Sequence, residues 1–239
     1  MNPVPYVSAS LIGSFERCPF SFAMSHYHGE KGDGSAAVFG TKFHTLMEQV
    51  HTMPIEDVIT YCENHFGEEA EIVTETVMEI LANDNALDWK QIDNEHKFEI
   101  YIPEVGITVV GHIDHILAET TPDGKRKLII RDYKTTWKYE PAVVWSNRIQ
   151  PRCYNWAARI QFPDFDIYEF QIWYPRQDRV VQWTLEPENE GFLSYIADVW
   201  DDLKKYYAQG WQEGDPAKHM PQILGEGCKY CAVKDLCDT

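Results

Sequence analysis

This chain of 239 residues is predicted to have an α/β fold, because segments with helical spacing of apolar residues precede and follow segments that read as strands. Helical spacing is found after Phe43 and again across residues 55–83. Between residues 98 and 119 apolar and polar residues alternate, and residues 128–130 form an apolar run typical of a buried strand. With 44% hydrophobic residues, the chain can fill a sizeable core.

The N-terminal part is predicted to be helical. Residues 8–28 read as two short helices that break at a proline. A glycine-rich loop is expected over residues 28–37, and it places His44 in the first turn of the next helix. Residues 55–83 are amphipathic and acidic, and we expect two helices there with a break near Gly67.

Three successive strands are predicted next, two around a turn at residues 104–106 and the third after the TPDG turn. A helix from about Ser146 to Ile160 follows, and then a hairpin over residues 166–185. A helix from Glu188 to about Gln209 precedes a cysteine-rich tail. Helices therefore lie before, between and after the predicted strands.

The organisation of the chain indicates a single domain, residues 1–239, with a helical insertion at about residues 45–90. No repeat, low-complexity tract or linker divides the sequence. The N-terminal residues MNPVPYVSAS do not resemble a signal peptide, and no apolar run reaches the roughly 18 to 20 residues that span a bilayer. We therefore expect a soluble cytoplasmic protein.

The net charge of −17 argues against sequence-independent binding to duplex DNA, since such binding needs many Lys and Arg contacts to phosphates. The basic residues are nevertheless concentrated in one segment, between Lys125 and Arg159. Two interpretations stay open for this segment. It is either a solvated surface, which is usual for runs of charge, or a basic groove in an acidic protein.

Charged residues that suit a metal-dependent hydrolase stand at the ends of two predicted strands. Asp114 lies in the motif GHID, and Asp132 and Lys134 lie in the motif DYK. If the strands are hairpin neighbours, the two aspartates approach each other and repel, and a hard divalent cation relieves the repulsion. Lys134, on the same face as Asp132, could orient an attacking water or neutralise charge that develops on a phosphate.

The cysteines are unevenly distributed, and three of them crowd the C-terminus: Cys228, Cys231 and Cys237. In a reducing compartment this crowding indicates metal ligation before disulfides. Cys18 is the candidate for a fourth ligand. Four thiolates suit either Zn²⁺ or a 4Fe-4S cluster, and the spacing does not decide between them. The other two cysteines are expected to be small buried apolar residues: Cys62 and Cys153.

The motifs GHID and DYK together resemble the signature of the PD-(D/E)XK nucleases. GTKFH, which ends at His44, is similar to the first motif of the RecB-like branch of these nucleases. QPRCY, which begins at Gln150 and ends at Tyr154, resembles that branch's QxxxY motif. The pattern SxSxxxxFxxCP, together with CKYCAVKDLC at the far end, resembles the iron–sulfur exonucleases of the CRISPR-associated RecB-like family and their phage-borne relatives. The resemblance extends from about residue 8 to 237.

The resemblance implies a restriction-endonuclease-like core, in which a central mixed sheet is flanked by helices and the two ends of the chain are joined by a metal cluster. It implies Mg²⁺ or Mn²⁺ and cleavage of DNA, often exonucleolytic and on single strands. The metal ligands would be His44, Asp114, Asp132 and the Tyr133 carbonyl. The remaining catalytic residues would be Lys134, Gln150 and Tyr154. The 4Fe-4S cluster, favoured over Zn²⁺ by the resemblance, would use Cys18, Cys228, Cys231 and Cys237.

Further candidates come from the residues themselves. Glu48, one helical turn after His44, and Glu95, at the start of the first strand, are additional possible metal ligands. Aromatic residues alternate with basic ones after DYK, the composition expected where unpaired bases stack and phosphates are held. The candidate DNA-binding residues are Lys138, Arg148 and Arg152.

Two functions are compatible with these patterns. The first is a metal-dependent DNA exonuclease with a structural 4Fe-4S cluster. The second is a nucleic-acid-binding or assembly module that acts with partner proteins in recombination or CRISPR spacer acquisition, and the net charge of −17 suits a protein partner. The complete set of predicted metal ligands favours the enzyme.

Overall fold

The structure is a computed structural model that describes residues 6–28, 35–86, 90–188, 190–210, 220–225, 228, 229, 231 and 233–237. The chain forms two compact units. The first unit comprises residues 1–34, 98–111 and 188–239, and the second comprises residues 35–97 and 112–187. The single domain expected from the sequence stays a prediction.

The first unit contains the N-terminal strand and three helices: β1 (Tyr6–Ser8), α1 (Ala9–Arg17), α2 (Pro19–His28) and α8 (Glu190–Gly210). The Ser8 side chain caps α1 by accepting from the Leu11 backbone N–H at 3.2 Å. Strand β1 pairs in parallel with Thr108–Val110. The predicted break between two short helices is confirmed, since α1 ends just before Cys18 and α2 begins at Pro19.

Two long strands contribute to both units: β2 (Lys90–Ile102) and β3 (Ile107–Thr120). Within the first unit, the Phe98 ring of β2 fills the space beside Gly111 of β3. A Cβ atom at Gly111 would lie only 2.1 Å from the Phe98 ring. The glycine of the GHID motif is therefore required by close packing of these two strands.

The second unit holds the rest of the sheet and most of the helices. Its helices are α3 (Ser35–Gln49), α4 (Ile55–Phe66), α5 (Ala70–Ala86), α6 (Ala142–Trp145) and α7 (Ile149–Gln161). Its further strands are β4 (Arg126–Tyr133), β5 (Ile167–Tyr174) and β6 (Arg179–Thr184). The strands follow in the order β3, β4, β5, β6. The sheet is mixed, because β4 pairs in parallel with β5 and the other two pairings are antiparallel.

Helices cover both faces of this sheet. On one face, Tyr133 and Trp173 pack into a core with apolar residues of α3, α4 and α5. On the other face, the Tyr154 ring of α7 lies 6.2 Å from the Phe170 ring of β5. The predicted α/β architecture, a central mixed sheet flanked by helices, is confirmed. No helix among the described residues is both long and apolar enough to cross a bilayer.

The predicted start of α3 is wrong. The helix begins at Ser35, so His44 is its tenth residue and does not lie in the first turn. Gly40 lies inside the helix, where a Cβ would lie 3.2 Å from Thr135 Oγ1. Glycine at this position lets α3 approach the end of β4 closely. Residues 29–34 of the predicted glycine-rich loop lie outside the described residues.

Candidate active site

Asp114 and Asp132 lie on neighbouring strands at the same position along the sheet. Strands β3 and β4 pair antiparallel as far as His115 and Arg131, so one further step sets Asp114 opposite Asp132. Opposite residues of an antiparallel pair point to the same face and are near neighbours. The Tyr133 backbone N–H donates to Asp114 Oδ2 at 2.8 Å, which fixes this carboxylate beside the end of β4.

A series of polar contacts links the end of β4 to α7. Lys134 Nζ lies 2.8 Å from Asp132 Oδ2 and donates to Gln150 Oε1 at 3.0 Å. Gln150 Nε2 donates to Asp132 Oδ1 at 2.8 Å and to the Tyr154 hydroxyl at 3.1 Å. The Tyr154 hydroxyl donates to the backbone carbonyl of His112. Because Gln150 and Tyr154 are one helical turn apart, α7 presents both side chains to the sheet, Gln150 to the end of β4 and Tyr154 to the middle of β3.

His44 and Glu95 also approach Asp114. His44 Nδ1 lies 3.5 Å from Asp114 Oδ1 and 3.8 Å from Glu95 Oε1. One ligand-type atom from each of the three residues lies within 4.8 Å of the other two. His44 comes from α3, Glu95 from β2 and Asp114 from β3, so separate elements converge at this point.

The environment of Asp114 disfavours its negative charge. Burial raises the pKa of Asp114 well above its ordinary value of 3.8, and the nearby Asp132 carboxylate raises it further. Asp132 is 2% exposed, and its Oδ2 accepts no hydrogen bond from the described residues, although Lys134 forms an ion pair with it. A divalent cation would relieve the repulsion between the Asp114 and Asp132 carboxylates. Carboxylate oxygens with one imidazole nitrogen therefore fit Mg²⁺ or Mn²⁺.

The comparisons with known proteins agree with this arrangement. The family profile described as the PD-(D/E)XK nuclease superfamily matches residues 6–238. The chain belongs to this superfamily. No curated protein matched the sequence of this nuclease.

Two solved structures are similar to the nuclease at low sequence identity. SSO0001 shares 12% identity at a TM-score of 0.44, over 100% of this chain and 88% of that one. A Eubacterium rectale protein named as a putative exonuclease shares 11% identity at a TM-score of 0.46, over 98% of this chain and 93% of that one. These likenesses are too distant to add to the family assignment, which rests on the profile.

The structure of the nuclease gathers the catalytic residues expected from the sequence: His44, Asp114, Asp132, Lys134, Gln150 and Tyr154. Tyr133 contributes its backbone N–H to Asp114, and its ring is buried in the core. Of the two extra acidic candidates, Glu95 joins His44 and Asp114, whereas Glu48 is exposed. The catalytic and ligand roles of all these residues stay predictions.

Sequence reasoning missed the side chain of His112. Its Nε2 lies 2.9 Å from Glu95 Oε2 and 2.7 Å from the Glu95 carbonyl oxygen. The residue stands inside the GHID motif, which was the only available signal. Glu95 and His112 are separated in the sequence, so no local pattern indicates this contact. The turn between β2 and β3 brings the two residues together.

Much of the basic charge between residues 125 and 159 is paired inside the nuclease. Arg131, counted with the candidate basic surface, is fully buried and pairs with Asp84. Lys138 and Arg148 are exposed, and both form ion pairs with Glu140. Arg152 of α7 is half-buried. One acidic partner, Glu140, lies within the segment and another, Asp84, lies outside it, so the count of basic residues overstated the free positive charge. Candidate DNA contacts at Lys138, Arg148 and Arg152 stay predictions.

The predicted cluster ligands lie in the first unit. Ser21 contacts two of them: its backbone N–H donates to Cys18 Sγ at 3.4 Å, and its hydroxyl lies 3.4 Å from Cys231 Sγ. Cys18, Cys231 and Cys237 pack against one small core that includes Phe20 and Val233. Cys228 accepts from the Gly225 N–H. All four cysteines are free and half-buried, and Cys62 and Cys153 are fully buried, as expected.

Proposed function

We propose that this nuclease is a metal-dependent DNA exonuclease that prefers single strands and carries a structural 4Fe-4S cluster. The observation that carries the proposal is the convergence of Asp114, Asp132 and Lys134 with His44. A buried pair of carboxylates beside an ammonium group is costly to maintain without a bound cation. The exonuclease mode and the iron–sulfur branch rest on the motif resemblance.

His44, Asp114, Asp132 and the Tyr133 carbonyl would hold Mg²⁺ or Mn²⁺. When bound, such an ion supplies Lewis-acid stabilisation of the phosphate and a water activated for hydrolysis. The imidazole of His44 is a softer donor than a carboxylate, so we expect Mn²⁺ to be preferred somewhat over Mg²⁺.

Lys134 would act on the scissile phosphate directly. Its side chain is 25% exposed and its ammonium group is oriented by Asp132 and Gln150, so a phosphate can reach a charge that is already in position. Tyr154 is 6% exposed and its hydroxyl is engaged within the site. Its part in the reaction is to position Gln150 and the backbone of β3.

The preference for single strands is supported by aromatic side chains that follow Lys134. Trp137 is 63% exposed and Tyr139 is 38% exposed. Arg176 lies over the Trp137 ring at 4.9 Å, and Arg179 lies over the Tyr139 ring at 5.0 Å. Exposed rings beside guanidinium groups suit stacking of unpaired bases, whereas paired bases have no free face to offer.

Cleavage assays test the proposal. Wild-type protein should degrade end-labelled single-stranded DNA with Mn²⁺ or Mg²⁺, act more slowly on duplex, and be inactive with EDTA. Lys134→Ala should abolish cleavage and leave folding intact, and Lys204→Ala, at an exposed lysine of α8 with no assigned role, is the control. DNA binding without metal-dependent cleavage by pure protein would refute the enzyme and favour the assembly module.

The cluster has its own test. Anaerobically purified protein should absorb near 400 nm and contain iron, because thiolate-bound iron–sulfur clusters have charge-transfer bands there. Stoichiometric zinc without that absorbance would assign the four cysteines to Zn²⁺ instead. A cluster would join residue 18 to residues 228–237, closing almost the whole chain into a loop and restricting the unfolded state.

A further inference from the structure

Glu95 adopts a backbone conformation that its residue type disfavours. Its φ is 52°, in the left-handed region, although it lies within strand β2. A non-glycine residue held in this region carries a conformational cost, and such residues concentrate at functional sites. The Glu95 carboxylate lies beside His44 and Asp114.

The carboxylate of Glu95 is held at one oxygen and open at the other. Oε2 lies 2.9 Å from His112 Nε2, and the same nitrogen lies 2.7 Å from the Glu95 carbonyl oxygen. Oε1 faces His44 Nδ1 at 3.8 Å, too far for a hydrogen bond. The Glu95 side chain is 24% exposed, so solvent and ions reach it.

His112 is itself fixed to the active site. Its backbone carbonyl accepts a hydrogen bond from the buried Tyr154 hydroxyl, which also contacts Gln150. The imidazole therefore extends from a strand position that α7 holds in place. His112 hydrogen-bonds the Glu95 carbonyl and lies beside Oε2 of its carboxylate, and the second carboxylate oxygen, Oε1, faces His44.

We propose that Glu95 is a further metal ligand of this site and that His112 is the residue that positions its carboxylate. The proposal rests on the proposed function, since it concerns the same divalent ion. Metal-ligating side chains are commonly oriented by a hydrogen bond to their other polar atom. The alternative is an ordinary ion pair between Glu95 and His112 near the surface, which has no consequence for metal binding.

The test is Mn²⁺ affinity of DNA-free protein, measured by titration calorimetry. Glu95→Gln should weaken Mn²⁺ binding at least about tenfold, and His112→Leu should weaken it by a similar factor. His112→Gln keeps an amide donor for Glu95 and should restore the wild-type affinity. Glu99→Gln, at an exposed glutamate of the same strand, is the control and should change nothing.

The outcomes separate this inference from the proposed function. Wild-type affinity in folded Glu95→Gln, with a wild-type protein that binds Mn²⁺ and cleaves DNA, overturns the ligand role alone. Weak binding in both His112 variants, or in neither, overturns the positioning role. A wild-type protein that neither binds Mn²⁺ nor cleaves DNA overturns the proposed function and this inference together.

Discussion

Two groups of histidine and carboxylate side chains flank β4, and they differ in their balance of charge. The Asp114 cluster consists of His44, Glu95 and Asp114. The Arg131 cluster consists of His51, Asp84, His115 and Arg131. In each group three possible metal-ligating atoms lie within 4.8 Å of one another. The consecutive residues Arg131 and Asp132 point to opposite faces of the strand, so the Arg131 cluster lies on the face away from Asp132.

The Arg131 cluster is electrically balanced. The Arg131 guanidinium donates to both oxygens of Asp84, at 2.9 and 2.8 Å, and to Gln171 at 3.2 Å. Burial, assisted by the charge of Arg131, lowers the pKa of His115 to about 2. Burial also lowers the pKa of His51. One positive and one negative group therefore stand between two neutral imidazoles.

The Asp114 cluster has no such balance. Asp114, Glu95 and the neighbouring Asp132 are three carboxylates, and Lys134 is the basic group that pairs with them most closely among the described residues. The difference shows that the spacing of ligand atoms does not by itself define a metal site. A cation would reduce the repulsion among the carboxylates beside the Asp114 cluster, whereas a cation beside Arg131 would meet a buried positive charge.

The largest expected effect is a loss of cleavage, without a loss of stability, when a carboxylate of the Asp114 cluster is replaced by a neutral residue. Asp114→Asn should reduce cleavage by about 10³-fold, because the proposed ligand to the catalytic ion loses its charge. It should not lower the free energy of unfolding of metal-free protein at neutral pH, since the amide oxygen can still accept from Tyr133 and the repulsion with Asp132 disappears. Cleavage assays and urea unfolding in EDTA measure the two effects. A marked loss of stability would mean that Asp114 serves the fold.

The Arg131 cluster should respond in the opposite way. Asp84→Ala leaves the Arg131 charge buried without its partner, so the free energy of unfolding should fall by about 3–5 kcal/mol. Mn²⁺ affinity should be unchanged as long as the variant is folded. Asp123→Ala, at an exposed carboxylate, is the control. Stability equal to wild type would show that the Asp84–Arg131 pair is not the buried charge pair described above.

Local signals in the sequence predicted most of the fold. Proline at the Cys18–Pro19 step and glycine at residue 67 mark real helix breaks, and the alternation before DYK marks β2 and β3. The start of α3 could not be read in this way, because the helix includes Gly40, a residue type that forms helices poorly and that here allows close approach to Thr135. A residue's helical propensity does not report which element lies beside it.

The sequence predicted which residues form the site better than it predicted which residues those side chains contact. The motif residues that it marked converge in the structure, but the contact between Glu95 and His112 depends on a positive φ that no local pattern signals. The burial of Arg131 was equally hidden. Its partner Asp84 is 47 residues away, on a helix that the pattern predicted without indicating what it packs against.

The loss of stability at acid pH that comes from His115 of the Arg131 cluster should be intermediate in size among the predicted effects. His115 has a folded pKa far below the value of 6.5 expected when unfolded, so the unfolded state binds the extra proton as the pH falls below 6.5. The free energy of unfolding should then decrease by about 1.4 kcal/mol for each pH unit below 6.5 because of His115. Above pH 6.5 the stabilising contribution of this group should be fully present. Urea unfolding in EDTA below pH 6.5 measures how steeply the free energy of unfolding changes with pH. In His115→Gln this slope should be smaller, by the amount that corresponds to one proton. An equal slope in both proteins would mean that His115 is protonated in the folded state.

The smallest expected effect concerns the link between α7 and the Asp114 cluster. Tyr154→Phe leaves the His112 carbonyl without its donor, which should cost about 1–2 kcal/mol of stability. Tyr168→Phe is a matched control, because the Tyr168 hydroxyl also donates to a backbone carbonyl, that of Phe162, and the residue is 2% exposed. Both variants should lose similar stability, and only Tyr154→Phe should also lose cleavage, by about tenfold, because Gln150 and His112 lose their common anchor. If the two variants retain equal cleavage, Tyr154 stabilises the fold without positioning the site.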